Sequence, residues 1–117
     1  MQVSLGINTG FALNRYTPAE HWVPLVREVL GLRKVQITAD LLPASLPARL
    51  LWRLVESTKN ALLKHEIEVT SAFTSAFTRV NHFSHPDPEV RAYWVEWFKT
   101  FVDIEVELGA QALGSHL

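Results

Sequence analysis

A chain of 117 residues, 48% hydrophobic and 20% charged, holds the apolar material of one globular domain and is too apolar for intrinsic disorder. Its net charge of −1, with no run of lysine or arginine, supplies no positive field for a polyanion, which disfavours nucleic acid and anionic membrane as partners. The absence of cysteine removes disulfides, thiolate catalysis and cysteine-ligated zinc, and no apolar run reaches the roughly 18 residues of a membrane span, so a soluble, cytoplasmic protein without a signal peptide is expected.

Val3 to Asn8 is a short apolar run ending in the turn-prone Asn8, Thr9 and Gly10, and it reads as a first strand. Thr17, Pro18 and Glu20 then form a helix start, with threonine as N-cap, proline in the first helical position and glutamate reaching back to the cap amide. Trp22, Leu25, Val26, Val29 and Leu30 follow at helical spacing before Gly31. Lys34 to Ala39 is a second strand with Val35 and Ile37 on one face, and Asp40 falls just past its end. Leu50, Leu51, Leu54, Val55, Ala61 and Leu62 mark a second amphipathic helix, and Glu66 to Ala72 alternates as a third strand.

A long polar connection from Phe73 to Pro86 comes next. Connections in compact domains usually run to about 4–6 residues, so its length points to a functional role. Asp87 and Pro88 open a third helix whose Val90, Tyr93, Trp94, Trp97, Phe98, Phe101, Ile104 and Leu108 make a broad apolar face, ended by Gly109. Ala110 to His116 reads as a fourth strand. The βαβαβαβ order, with strand starts repeating at roughly thirty to forty residues, is the signature of βα units on a parallel sheet. It predicts an α/β domain equal to the first four strands and three helices of a (β/α)8 barrel, whose complete form takes about 250 residues.

Four strings, GINTGFALNR (6–15), VQITADLLP (35–43), SAFTSAFTRVNHFSHPDPEVRAYWVEWFKTFVD (71–103) and LGAQALGSH (108–116), resemble in order and spacing the N-terminal half of the xylose-isomerase-like TIM-barrel superfamily. That group holds sugar and sugar-phosphate isomerases and epimerases and an AP-endonuclease branch. The resemblance implies residues 1–117 as the N-terminal half of such a barrel, with a sugar or sugar phosphate as substrate. It also implies a divalent metal (Mn, Mg, Co or Zn) held by two glutamates, an aspartate and a histidine, two of whose carboxylates move a proton between adjacent carbons. Most of those ligands come from later strands, so a half inactive alone is expected. One departure is Lys64-His65-Glu66, where the family pattern calls for a helix-ending glycine.

Barrel enzymes place their sites at the C-terminal ends of the strands, which selects Asn8, Thr9 and Phe11, then Thr38 and Asp40, Phe73 and Thr74, and Ser115 and His116. Asn8 is a candidate hydrogen-bonding partner for a sugar hydroxyl, against the alternative of a satisfied turn residue. Phe11 and Phe73 are candidates for the apolar wall under a sugar ring, or for core packing. His116 is a candidate substrate contact or metal ligand at the barrel mouth. His82 and His85 have a spacing that can share a metal, but the better reading is a lid in which Arg79, Asn81 and His82 touch substrate. Asp40 suits a turn or cap more than a general base. The alternative function is a non-catalytic half-barrel that self-associates, or binds a partner or a missing C-terminal half, through open strand edges. Near-neutral charge counts against the endonuclease branch.

Overall fold

A computed structural model describes residues 1–116. Four strands, β1 (Ile7–Asn8), β2 (Lys34–Thr38), β3 (Glu68–Phe73) and β4 (Leu113–Gly114), pair in parallel in the order β1-β2-β3-β4. Between them lie helices α1 (Ala19–Pro24), α2 (Ala48–Lys64) and α3 (Pro88–Glu107). Each strand pairs with its successor, so every crossover runs the same way, and the right-handed rule puts all three helices on one face. This is the parallel α/β arrangement expected for half of a (β/α)8 barrel.

The sheet separates side chains by chemistry. Val35 and Ile37 of β2, with Val69 and Ala72 of β3, are buried against Trp22, Val26, Leu51, Val55, Phe101 and Ile104 from the helices. A bulge at Thr70 sets Gln36 opposite Ser71, and that is how Val69 and Ala72 come to share a face although they are three residues apart. The opposite face, which would line a barrel, carries the polar Gln36 and Ser71.

Several boundaries depart from expectation. The first strand shrinks to Ile7–Asn8, with Val3 and Leu5 72% and 73% exposed because no described element covers them. Gly6 explains how the chain still meets β2, since a β-carbon there would stand 2.9 Å from the Lys34 carbonyl oxygen. The fourth strand is likewise confined to Leu113–Gly114. The capping box at Thr17 does not form, because the Thr17 hydroxyl donates to the Leu13 carbonyl at 2.9 Å and closes the preceding turn instead. Pro24 lacks the N–H needed to continue α1, and the chain loosens into a π-helical turn over Leu25–Val29.

The third helix begins as read. The Asp87 carboxylate accepts the Glu89 amide at 2.8 Å, and Pro88 occupies the first turn. Its buried face includes one residue outside the apolar set, Glu105, which is fully buried. Neither of its carboxylate oxygens has a hydrogen-bond partner among the described residues, and burial pushes its carboxyl up to about 8.

Candidate active site

The polar face of the sheet is held by a hydrogen-bonded row. Asn8 Nδ2 donates to Gln36 Oε1 at 2.8 Å, and Gln36 Nε2 donates onward to Ser71 Oγ at 3.0 Å, tying three strands together. Asn8 Oδ1 also accepts the Gly10 amide at 2.7 Å, capping a 3-10 turn over Thr9–Ala12. That turn is pinned to β2 because the buried Thr9 hydroxyl accepts the Thr38 amide at 3.0 Å. Thr38 in turn donates its hydroxyl to Asp40 Oδ2 at 2.6 Å, so Asp40 serves the turn beyond β2.

A second cluster forms beyond β3 and β4. Ser75 adopts φ +54°, a left-handed conformation uncommon for a residue with a β-carbon, and it starts a 3-10 turn over Ser75–Thr78. The turn brings the Thr78 hydroxyl back to that of Thr74, and Ser115 Oγ joins them at 2.9 Å from Thr74 and 3.2 Å from Thr78. Three side chains without charge thus bind the strand ends to the loop.

His82 is only 5% exposed and packs among Phe83, Trp94 and Phe98. The Phe83 amide donates to its Nδ1 at 2.8 Å, which fixes the proton on Nε2, and Nε2 donates to the His116 carbonyl at 2.9 Å. Both ring nitrogens are therefore engaged with the chain, and His82 holds His116 in place. The His116 ring meets Phe73 edge to face, with centroids 5.0 Å apart, while Arg79 Nε donates to His116 Nε2 at 3.4 Å.

These contacts enclose a depression of about 420 Å³ lined by Arg79, Asn81, His82, Ser84 and His116, among others. The structure thus gathers Asn81, His82 and His116, with Phe73 against the His116 ring. Asn8 and Phe11 do not line it, and Phe11 is partly exposed beside β1. Gln36 and Ser71 escaped the sequence reading as site residues. The signal was the strand alternation itself, since Gln36 lies between Val35 and Ile37, which face the helices.

The described residues do not by themselves fit a divalent metal. No group of three or more His, Asp or Glu able to hold one occurs among the described residues. His116 offers Nε2 to a guanidinium, whose charge would oppose a metal cation. His85 Nδ1 accepts the Asp87 amide at 3.1 Å, and both His82 ring nitrogens are already engaged, so the pair offers no shared point for a metal.

Comparison with known proteins places this geometry. No family model matches the chain. It is 37% identical over 115 residues to the D-erythrulose 1-phosphate 3-epimerase of Brucella abortus, a match that covers 98% of this chain and 37% of that protein. A crystal structure from Rhodospirillum rubrum, described provisionally as a xylose isomerase, superposes with a TM-score of 0.86 at 29% identity, covering 97% of this chain and 39% of that one. The chain therefore spans about two fifths of the length of these relatives. No helix of the described residues is long and apolar enough to cross a membrane. With its four parallel strands in sequential order and its strand-end loops gathered at one edge, the chain is similar over nearly its whole length to part of a sugar-phosphate epimerase and to part of a structure described as a xylose isomerase, whose α/β fold it shares over that region.

Proposed function

We propose that the chain is the N-terminal half of a sugar or sugar-phosphate isomerase or epimerase. Such an enzyme moves a proton between adjacent carbons, or inverts a carbinol carbon, through an enediolate. The observation that carries the reading is the convergence of Phe73, Arg79, Asn81 and His116 beyond β3 and β4, in a chain whose relative is named for a ketose phosphate. In this reading Phe73 is the apolar wall for the sugar carbons, and His116, held by His82, and Asn81 contact oxygens of the substrate. Asn8 and Phe11 reach the substrate from the β1 side. The carboxylates that move the proton, and the ligands of any divalent metal, would come from a second half or another chain.

A second reading is favoured by one observation. Among the described residues β1 and β4 have no further strand beside them, and Leu5 and Leu113 are exposed there. Such edges suit association with a second copy or a partner. Light scattering with and without Mn²⁺ or Mg²⁺ separates the two. It is followed by deuterium exchange from solvent into ketoses and ketose phosphates, and by ligand-induced shifts at Phe73 and His116. A dimer that exchanges only with metal means that two copies rebuild a site. An inert monomer that still binds these sugars at Phe73 and His116 means a binding half. A chain that binds no sugar or sugar phosphate under any condition sinks the first reading and leaves the second.

A further inference from the structure

We infer that the depression beneath the β3–α3 loop binds the phosphate group of a phosphorylated sugar, through Arg79, Asn81, Ser84 and His116. The inference rests on the isomerase or epimerase reading and adds where the charged end of the substrate sits.

The first argument is the state of Arg79. Its side chain is exposed and engages only Nε, toward His116; the two terminal nitrogens have no hydrogen-bond or ion-pair partner among the described residues. A planar guanidinium with two free NH2 groups matches the oxygens of a phosphate better than it matches a neutral hydroxyl. The second argument is the lining. Among the described residues around this depression none is acidic, while the Asn81 amide and the Ser84 hydroxyl add neutral donors. Elsewhere on the sheet Lys34 stands 4.0 Å from the Glu68 carboxylate, so its charge is already answered.

The third argument is preorganisation. His116 is fixed from both sides, its carbonyl by His82 and its ring by Phe73, so the imidazole that faces Arg79 needs little ordering when an anion arrives. The neutral Asn8–Gln36–Ser71 row offers amides and a hydroxyl without net charge, a surface suited to sugar hydroxyls. The polar groups thus divide into an uncharged part for the carbon chain and a cationic part for the phosphate. One arginine lining the depression, in a chain of net charge −1, fits a small monoester and not a polyanion.

The test is a titration of the isotopically labelled 117-residue chain with inorganic phosphate, a ketose 1-phosphate and the unphosphorylated ketose, with chloride balancing ionic strength. Saturable shifts at residues 78–84 and 116 are expected from inorganic phosphate and from the ketose phosphate. Arg79→Gln should weaken both by roughly tenfold or more, the loss of a charge-assisted contact, while Arg79→Lys retains part of the affinity. Arg15→Gln, an exposed arginine outside the depression, should leave affinity unchanged. Shifts absent from this segment, or equal affinity in Arg79→Gln, would overturn the inference. Failure of the sugar reading looks different: inorganic phosphate would bind at Arg79 as tightly as the ketose phosphate, with no added contribution from the sugar.

Discussion

The ring of Phe73 lies across the α-carbon of Gly114, its partner in the β3–β4 register, so closely that a β-carbon on residue 114 would stand 2.7 Å from Phe73 Cδ2. Glycine is required there for space and not for its backbone angles. The same ring supports His116 edge to face, so one absent methyl group positions two candidate site residues.

Gly114→Ala should therefore displace the Phe73 ring. Overpacking of this kind costs about 1–3 kcal/mol, and the ring-current shift that Phe73 imposes on the His116 imidazole protons should disappear. Phe73→Ala removes both ring atoms that a β-carbon at 114 would meet, so Gly114→Ala should cost much less in that background, without restoring that shift. The pair is best measured as a double-mutant cycle by urea unfolding and proton NMR. Additive losses would mean that the two residues do not meet.

Thr9 and Thr38 offer a sharper test of how β1 is held. The buried Thr9 hydroxyl accepts the Thr38 amide, so Thr9→Val keeps the shape and strands a buried N–H. The expected cost is roughly 1–3 kcal/mol, the penalty for an unsatisfied buried donor. Hydrogen exchange at the Thr38 amide should accelerate by more than at Ile37. A Thr38 amide still as protected as in the wild-type chain would show that another acceptor replaces Thr9.

Glu105 makes the stability of the chain depend on pH. Its carboxyl moves from an ordinary 4.5 up to about 8, so between those values the folded chain keeps a proton that the unfolded chain has released. The sign follows: this contribution is fully present below pH 4.5 and declines as pH rises through the interval to about 8. The slope is roughly 1.4 kcal/mol per pH unit, with about 5 kcal/mol as the ceiling over the whole interval. Glu105→Gln should flatten the decline, and Glu105→Met should raise stability most at pH 8. Urea unfolding at pH 5, 6.5 and 8 reads this directly, and parallel wild-type and Glu105→Gln profiles would refute it.

The fold was legible wherever periodicity was undisturbed and both ends of an element were marked. Val35 and Ile37 alternate with polar residues, and Asp87-Pro88 and Gly109 bracket α3, so both elements fell close to their expected places. Glu105 was not read as buried, because its charge set it apart from the apolar stripe, although it lies four residues after Phe101 on the same helical face. The Thr17 cap was not legible, because a threonine hydroxyl has two local uses and only the three-dimensional turn at Leu13 decides between them. The site divides in the same way. Strand ends could be read from order alone, whereas the burial of His82 depends on Trp94 and Phe98, which lie on α3 beyond the end of its own loop.

The end of α2 supplies the last expectation. The chain must reverse there into a left-handed residue, and Glu66 takes φ +55° where a glycine is usual. A β-carbon in that region costs roughly 1–2 kcal/mol, while glycine gives back about 0.4–1 kcal/mol through the greater entropy of the unfolded chain. The Glu66 carboxylate contributes little in return. It lies 4.0 Å from Arg27 with 73% of its side chain exposed, and exposed pairs of this kind add close to nothing. Glu66→Gly should thus stabilise the chain by up to about 1 kcal/mol, and Glu66→Asn, which tolerates the left-handed region, by less. Glu66→Ala keeps the β-carbon and removes the carboxylate, so it separates the two effects. Conformational strain is the cause if Glu66→Ala leaves the urea midpoint unchanged while Glu66→Gly raises it. A fall in Glu66→Gly would instead mean that the Arg27 contact outweighs the strain.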